Sequence, residues 1–505
     1  MSEMSQHIYR AEDVRELDRI AIEEQGIPGY ELMTRAGRAT YAAIADRYPA
    51  ARRWLVLCGS GNNAGDGYVI ARLAIENGQD VQLIALSPPA KLKGDAATAW
   101  SDFAAAGGEV SEWDAQLDLD NVDIVVDAML GTGLMRPLEG TYREVVNALA
   151  QRPPSVAVAA VDIPTGLNGL TGEVMGAAVR ADLTVSYVGL KLGLVLGEGP
   201  DYCGAVVFDD LGIAPISATQ VKPMLKVFGQ ARLRALLPVR ARSGHKGRYG
   251  HVLVIGGNTG MAGAARLAGE AALRSGAGLV SVATRPANVP AIVAGRPELM
   301  CHGIETDSDL DGLLERAALI ALGPGLGQDD WARHLYKRAL AAGKPMVLDA
   351  DALNLLAEAP EKRSDWILTP HPGEASRLLG VPTAQVQAGR LASLASLTAT
   401  FGGAVVLKGH GTLVAGTRSG ALPWLIRAGN PGMATAGMGD VLTGITAAVY
   451  AQCMGDAHAA DQPVEDIAAA AAWLHATAGD RAAINGERGL IASDLFAELR
   501  ACLNR

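Results

Sequence analysis

Cysteine is scarce in this chain: Cys58, Cys203, Cys301, Cys453 and Cys502 lie far apart, and no Cys-x-x-Cys occurs. That spacing excludes a zinc ribbon and a disulfide framework, so free thiols in a reducing compartment are expected. Basic charge is also in deficit. Lys and Arg number 44 against 54 Asp and Glu, a formal net charge of −10, which argues against nucleic-acid binding as the main task. No uninterrupted apolar run reaches membrane-spanning length. The stretch from Met1 to Glu16 is polar and lacks the apolar core of a signal peptide. A soluble cytoplasmic protein without membrane contact is therefore expected. No Walker A sequence occurs, which excludes the P-loop route to nucleotide phosphates. Aromatics are few while Ala and Gly are abundant, a balance that favours layered α/β packing with short glycine-rich loops.

A chain of 505 residues is too long for one core, and two domains of roughly 200–270 residues are expected. The boundary is placed near 215–225, giving domains 1–218 and 225–505. From Ile216 to Arg248 the pattern loosens and turns basic, through Arg232, Arg240 and Lys246, and reads as a solvated connector. No repeat of fixed period is visible.

In the first half, Val14, Leu17, Ile20 and Ala21 recur at helical spacing between charges, which predicts a helix over 11–24. A second helix is predicted over 31–47. Trp54 to Cys58 reads as a buried strand, followed by a glycine-rich loop to Gly67 and a helix over 68–77. Strand, glycine loop and helix open a doubly wound α/β unit, whose ligands sit at strand ends. Further strands are predicted over 81–86, 124–127, 156–162 and 183–188. Gly59-x-Gly61-x-x-Ala64 matches the dinucleotide fingerprint only weakly, because Asp80 stands at the start of the next strand and not at its end. The polar residues at these strand ends are more informative. Asp66, Asp127 and Asp162 converging on one sheet edge would form a site; each alone could cap a loop.

Asn62-Asn63-Ala64-Gly65-Asp66-Gly67, Asp127 with Gly131-Thr132-Gly133, and Val161-Asp162-Ile163-Pro164-Thr165-Gly166 resemble the YjeF N-terminal family, the NAD(P)H-hydrate epimerases, over essentially the whole first half. The resemblance implies a Rossmann-like domain that binds the hydrated nucleotide through Asn62, Asn63, Ala64, Gly65 and Asp66, through Gly131, Thr132, Gly133, Leu134, Met135, Arg136 and Pro137, and through Tyr142 and Asp162. It implies potassium on Asn63, Asp127 and Thr165, oxygen ligands suited to a hard cation. It makes Asp162 the acid/base at C6 of the hydrated ring. Ala64 departs from the family's usual glycine, and its methyl is expected to weaken binding in a loop that hugs phosphate. Lys191 could reach a phosphate or be a solvated surface lysine.

In the second half, strands are predicted over 251–255, 279–283, 318–322, 345–348, 366–368 and 404–407. They run into glycine or polar loops, which places the chemistry on one edge of a parallel sheet. The stretch Asn430-Pro431-Gly432-Met433-Ala434-Thr435-Ala436-Gly437-Met438-Gly439-Asp440 is a small-residue loop delivering a carboxylate to a helix start. Free N–H groups and the positive dipole end suit a phosphate there, and Asp440 stands where an attacking hydroxyl needs a base. A tight turn with a capping aspartate is the bland alternative. Asp349 and Asp351 are ambiguous between helix capping and site electrostatics, and His371 between helix capping and ligand contact.

Gly432 to Asp440, with His371-Pro372-Gly373-Glu374, resembles the YjeF C-terminal family, the ADP- or ATP-dependent NAD(P)H-hydrate dehydratases of the ribokinase-like fold, and the match spans nearly all of 225–500. The resemblance implies the hydrated nucleotide near Ala264, Gly325, His371 and Asp440. It implies ADP near Lys408, Gly409, His410, Gly411, Thr412 and Gly439, with magnesium on the phosphates. His371-x-x-Glu374 stands where ribokinase relatives carry Asn-x-x-Glu. Together the two resemblances imply a bifunctional enzyme. It would epimerise R and S forms of 6-hydroxylated NADH or NADPH and dehydrate the S form using ADP, with ATP possible. Its partners would be these small molecules, and a homo-oligomer is expected. The competing reading is a ribokinase-like small-molecule kinase, stopping at the phosphate ester, fused to a non-catalytic nucleotide-binding regulatory domain.

Overall fold

The computed structural model describes residues 6–114, 117–213, 220–455 and 461–504. The chain forms two compact units, Met1–Leu225 and Lys226–Arg505. Residue 218, the expected end of the first domain, lies outside the described residues.

The first unit is built on a parallel sheet whose strands, among the described residues, run in the order Val110–Glu112, Asp80–Ala85, Arg53–Cys58, Ile124–Ala128, Ala157–Val161, Leu183–Tyr187 and Ala205–Asp209. The central strands are continuous apolar runs because both faces are covered. Leu55, Val56, Leu57, Val125 and Val126 are wholly buried, each stabilising the unit by roughly 1.5–3 kcal/mol. Chain order reverses between Arg53–Cys58 and Ile124–Ala128, so the loops leaving these strands diverge and open a crevice. Helix Ala11–Glu23 buries Val14, Leu17, Ile20 and Ala21, the predicted stripe. Helix Asn62–Glu76 begins six residues before the expected start at Tyr68. Of the glycines of 61–67 that read as loop, Gly65 and Gly67 are therefore helical and held close to their neighbours, while Gly61 is the N-cap. Strand His7–Tyr9, absent from the sequence reading, pairs in parallel with Leu190–Lys191.

The second unit carries strands in the order Met300–Gly303, Leu279–Thr284, His251–Ile255, Leu319–Leu322, Met346–Leu348, Trp366–Leu368 and Ala404–Leu407, all parallel, then Thr412–Gly416 and Trp424–Ile426, both antiparallel to their predecessor. The last two were not anticipated, and they make 408–411 a hairpin turn instead of a strand-to-helix loop. Helix Met438–Gly455 lies almost wholly inside the core. It meets helix Ala262–Arg274 closely at Gly444, where a Cβ would stand 2.0 Å from the Ala268 carbonyl oxygen. The basic stretch expected to be a solvated connector is partly core: Phe228, Leu233 and Leu236 are buried. Arg232 pairs with Asp466 at 2.5 Å, and Arg240 lies over the Tyr249 ring at 3.8 Å.

Candidate active sites

At the switch point of the first unit lies a cavity of about 790 Å³. Gly59 lets the two diverging loops touch, since a Cβ there would stand 1.9 Å from the Met129 carbonyl oxygen. Asn62, Asn63, Asp66, residues 131–137, Tyr142 and Asp162 all line this cavity. Ala64 and Gly65 do not. The Ala64 methyl is wholly buried in the core, and Gly65 backs onto Met33. The expectation that Ala64 crowds a phosphate is thus overturned: once the segment is helical, positions 64 and 65 face the core while 62, 63 and 66 face the cavity.

Asp162 sits at φ +66°, a left-handed conformation unusual for a residue with a side chain. The Val185 carbonyl, accepting its N–H at 2.8 Å, holds it there. Its carboxylate is paired with the Lys191 ammonium. Lys191 also donates to Ser186 Oγ at 3.1 Å and to the Tyr187 carbonyl at 2.9 Å, and it is 1 % exposed. It is therefore no surface lysine. Asp66 stands in the same wall; burial, then the charges of Asp162 and Asp18, push its carboxyl well above the usual range. Asp18, which sequence reasoning did not single out, joins them from helix Ala11–Glu23. Burial pushes its carboxyl up to about 7, with Lys191 opposing and Asp162 adding to the shift. The available signal was its position on the buried side of the helix, four residues after Val14 and three before Ala21.

Asp127 and Thr165 stand together beside this cavity. Thr165 donates its N–H and hydroxyl to the Asp127 carboxylate at 2.8 and 2.7 Å. Leu130, on the cavity wall, donates its N–H to Thr165 Oγ1 at 2.9 Å. Burial pushes the Asp127 carboxyl up to about 6, against these hydrogen bonds. The next residue, Gly131, lies against Asn63, whose Oδ1 would be 3.4 Å from a Cβ there. The buried Asn63 Nδ2 has no hydrogen-bond partner.

In the second unit four strand ends meet the start of helix Met438–Gly455. Asp349 follows Met346–Leu348 and is 3 % exposed. Its Oδ1 accepts from Lys408 Nζ at 2.7 Å and from the Thr369 hydroxyl at 2.8 Å, and its Oδ2 from the Thr443 hydroxyl at 2.9 Å. Lys408 also lies 3.7 Å from Glu374. Gly439 covers this pair, for a Cβ on it would stand 3.4 Å from Asp349 Oδ2 and 3.5 Å from Lys408 Nζ. Asp440 follows in the first helical turn. Burial pushes its carboxyl up to about 7, Asp349 and Asp351 adding to the shift and Lys408 opposing it. Asp349 is thus the buried partner of Lys408, Thr369 and Thr443. Asp351 accepts the Gly327 N–H at 2.8 Å, tying the 323–327 loop to the same cluster.

His371 caps helix Pro372–Leu379 through Nδ1, which accepts the Gly373 N–H at 2.9 Å, while Glu374 accepts the His371 N–H at 2.7 Å. Burial and the Lys408 charge lower the His371 pKa. Ala264 and Gly325 are neighbours at the unit's own switch point, between His251–Ile255 and Leu319–Leu322: a Cβ on Gly325 would stand 3.0 Å from that of Ala264. The hairpin turn of Lys408, Gly409, His410, Gly411 and Thr412 is braced from beneath by Arg390. Its guanidinium donates to the carbonyls of Leu407, Lys408 and Gly411 at 3.2–3.3 Å. This buried arginine also escaped the sequence reading, although an arginine inside the apolar stretch 390–397 is a visible anomaly.

Residues 29–193 match the family model described as YjeF-related protein N-terminus, and residues 252–500 match the one described as NAD(P)H-hydrate dehydratase. Helix Ala11–Glu23 lies ahead of the first match. The chain is 46 % identical to the bifunctional NAD(P)H-hydrate repair enzyme Nnr of Coxiella burnetii, over 98 % of this chain and 99 % of the relative. It is 43 % identical to that of Escherichia coli, over 98 % and 94 %. Among solved structures it is similar to a ribokinase-like superfamily protein of Enterococcus faecalis, at 30 % identity and TM-score 0.50, covering 55 % of this chain and 95 % of that one.

Proposed function

The chain belongs to the bifunctional NAD(P)H-hydrate repair enzymes, and we propose that each of its two units carries one step of that repair. The Met1–Leu225 unit interconverts the R and S forms of 6-hydroxylated NADH or NADPH. The Lys226–Arg505 unit phosphorylates the S hydroxyl from ADP, with ATP as the alternative donor, and eliminates phosphate to regenerate NAD(P)H.

The observation that carries this reading is the placement of Asp440. A carboxyl pushed up to about 7 by burial stands at a helix N-terminus behind a loop of small residues, near the partly buried Lys408. The free N–H groups at 437–439 receive the transferring phosphoryl, and Asp440 takes the hydroxyl proton. Ala264, Gly325 and His371 contact the hydrate. The turn Lys408–Thr412 and Gly439 contact the adenine nucleotide, with Lys408 held in place by Asp349. Among the described residues no group of three or more His, Cys, Asp or Glu is arranged to hold a metal. A magnesium ion carried in on the nucleotide's phosphates would neutralise charge there.

In the first unit the cavity takes the hydrated nucleotide through Asn62, Asn63, Asp66, residues 131–137 and Tyr142, with Asp162 acting at C6. Asp127, Thr165 and Asn63 fit potassium. They offer carboxylate, hydroxyl and amide oxygens suited to a hard cation, and Asp127 is buried with no cationic side chain beside it. A bound cation there fixes the 130–131 segment at the cavity wall.

The test supplies racemic hydrate and ADP to the full chain and follows both epimers, NAD(P)H absorbance and free phosphate. Complete conversion of both epimers is expected. A stable phosphate ester without NAD(P)H overturns the dehydratase half, and an R form that persists as in an enzyme-free control overturns the epimerase half.

A further inference from the structure

We infer that Asp18 is the acid partner of Asp162 in the first cavity, giving a proton to the ring nitrogen while Asp162 takes one from the C6 hydroxyl. The inference rests on the epimerase reading above. It starts from a charge inventory: Asp18, Asp66 and Asp162 line one wall, and a single buried ammonium, Lys191, stands among them. That ammonium is in contact with Asp162, and three carboxylates cannot all remain ionised beside one cation away from water. The Asp18 carboxyl accepts no hydrogen bond from any described residue, so it is free to face a ligand. The other charged residues that line the cavity are Arg15, which donates to the Thr132 carbonyl at 2.8 Å, Asp95, Arg136 and Glu139. Burial raises Asp18 to about 7, so a large share of it holds a proton at neutral pH, which an ordinary carboxyl does not. Two carboxyls in one site with unlike surroundings, Asp162 against the Lys191 ammonium and Asp18 with no hydrogen-bond partner, are suited to act as base and acid.

The chemistry needs both. C6 carries a hydroxyl and the ring nitrogen, so its configuration is lost when the ring opens. Asp162 takes the hydroxyl proton, the oxygen's electron pair forms C6=O, and the C6–N1 bond breaks with its electrons on N1. N1 takes the proton of Asp18. Rotation about C5–C6 turns the other face of the aldehyde to N1, which attacks. The N1 proton returns to Asp18, and Asp162 returns its proton to the oxygen. Nothing is oxidised or reduced, and both carboxyls end as they began.

The experiment converts purified R hydrate to S with the full chain in the absence of ADP, comparing wild type, Asp18→Asn and Asp18→Glu. Asp18→Asn is expected to lose roughly 10²–10⁴-fold in rate. The wild-type rate should fall as pH rises through about 7, a limb that vanishes in Asp18→Asn and is kept, displaced, in Asp18→Glu. Dehydration of S hydrate with ADP by the same variants should be unchanged. An Asp18→Asn rate within about fivefold of wild type, or an identical falling limb in all three proteins, overturns the inference. If Asp18→Asn fails to fold, Asp18→Glu decides by whether its limb has moved. Wild type that leaves the R hydrate untouched overturns the epimerase reading instead.

Discussion

A carboxyl held at about 7 by its surroundings titrates in the range where it has to work, and the direction of its effect on rate tells an acid from a base. Asp440 as a base must be ionised, so dehydration is expected to rise with pH through about 7. Asp440→Asn should lose roughly 10²–10⁴-fold and show no such rise. A near-wild-type rate in this variant places the chemistry elsewhere. Asp162→Asn keeps the shape of the Lys191 partner and removes its charge. Binding of the hydrate should survive while epimerisation falls by a similar factor, and a loss below about tenfold leaves Asp162 a binding residue. Asp440 and Asp162 are legible in the sequence because short loops of small residues surround them. Asp18 and Arg390 carry only a weak local signal, a polar residue on the buried side of a helix and an arginine beside apolar residues, because the groups that give each its role, Lys191 and the hairpin turn above the guanidinium, lie elsewhere in the chain.

At the scale of elements, most strands are readable as apolar runs ending in glycine or polar residues, and the helices as 3.6-residue stripes. The errors fall where glycine is dense. Helix Asn62–Glu76 absorbs a segment that reads as loop, since glycine's low helix propensity is outweighed by close packing against Met33 and neighbouring loops. This reassignment carries a prediction for Ala64. Its methyl faces the core, so Ala64→Gly should lower the stability of the first unit by about 1–2 kcal/mol, from helix propensity and one lost buried methyl. The KM for the hydrate should be unchanged, whereas a clear fall in KM would return Ala64 to the binding loop. Denaturant unfolding and initial rates measure the two. The hairpin Thr412–Gly416 and Trp424–Ile426 is missed for another reason. Its strands, of five and three residues, are too short to show a period, and only pairing with Ala404–Leu407 makes them a sheet.

At the scale of the whole molecule, two units with separate cores and separate clusters predict separable chemistry. In the Asp440→Asn chain given racemic hydrate and ADP, R and S should equilibrate at the wild-type rate while NAD(P)H fails to appear. Replacing potassium with tetramethylammonium should slow epimerisation and leave dehydration of S hydrate intact. Equal epimerisation in both salts removes the ion from Asn63, Asp127 and Thr165. No helix among the described residues is long and apolar enough to cross a membrane.

What the sequence by itself determined is whatever depends on local order: two α/β halves, strands that end in polar loops, and the motifs that carry the family resemblance. Periodicity, glycine placement and residue type are properties of neighbours along the chain, so they can be read there. The tertiary structure alone decided which polar residues share a cluster and in what protonation state. Lys191 becomes the partner of Asp162 only when Leu190–Lys191 pairs with His7–Tyr9 and the lysine is sealed from water. Asp349 becomes a buried partner and not a mere cap only when Lys408, Thr369 and Thr443 close on it from three other elements. Burial and charge proximity both depend on distances in space that separation along the chain does not encode.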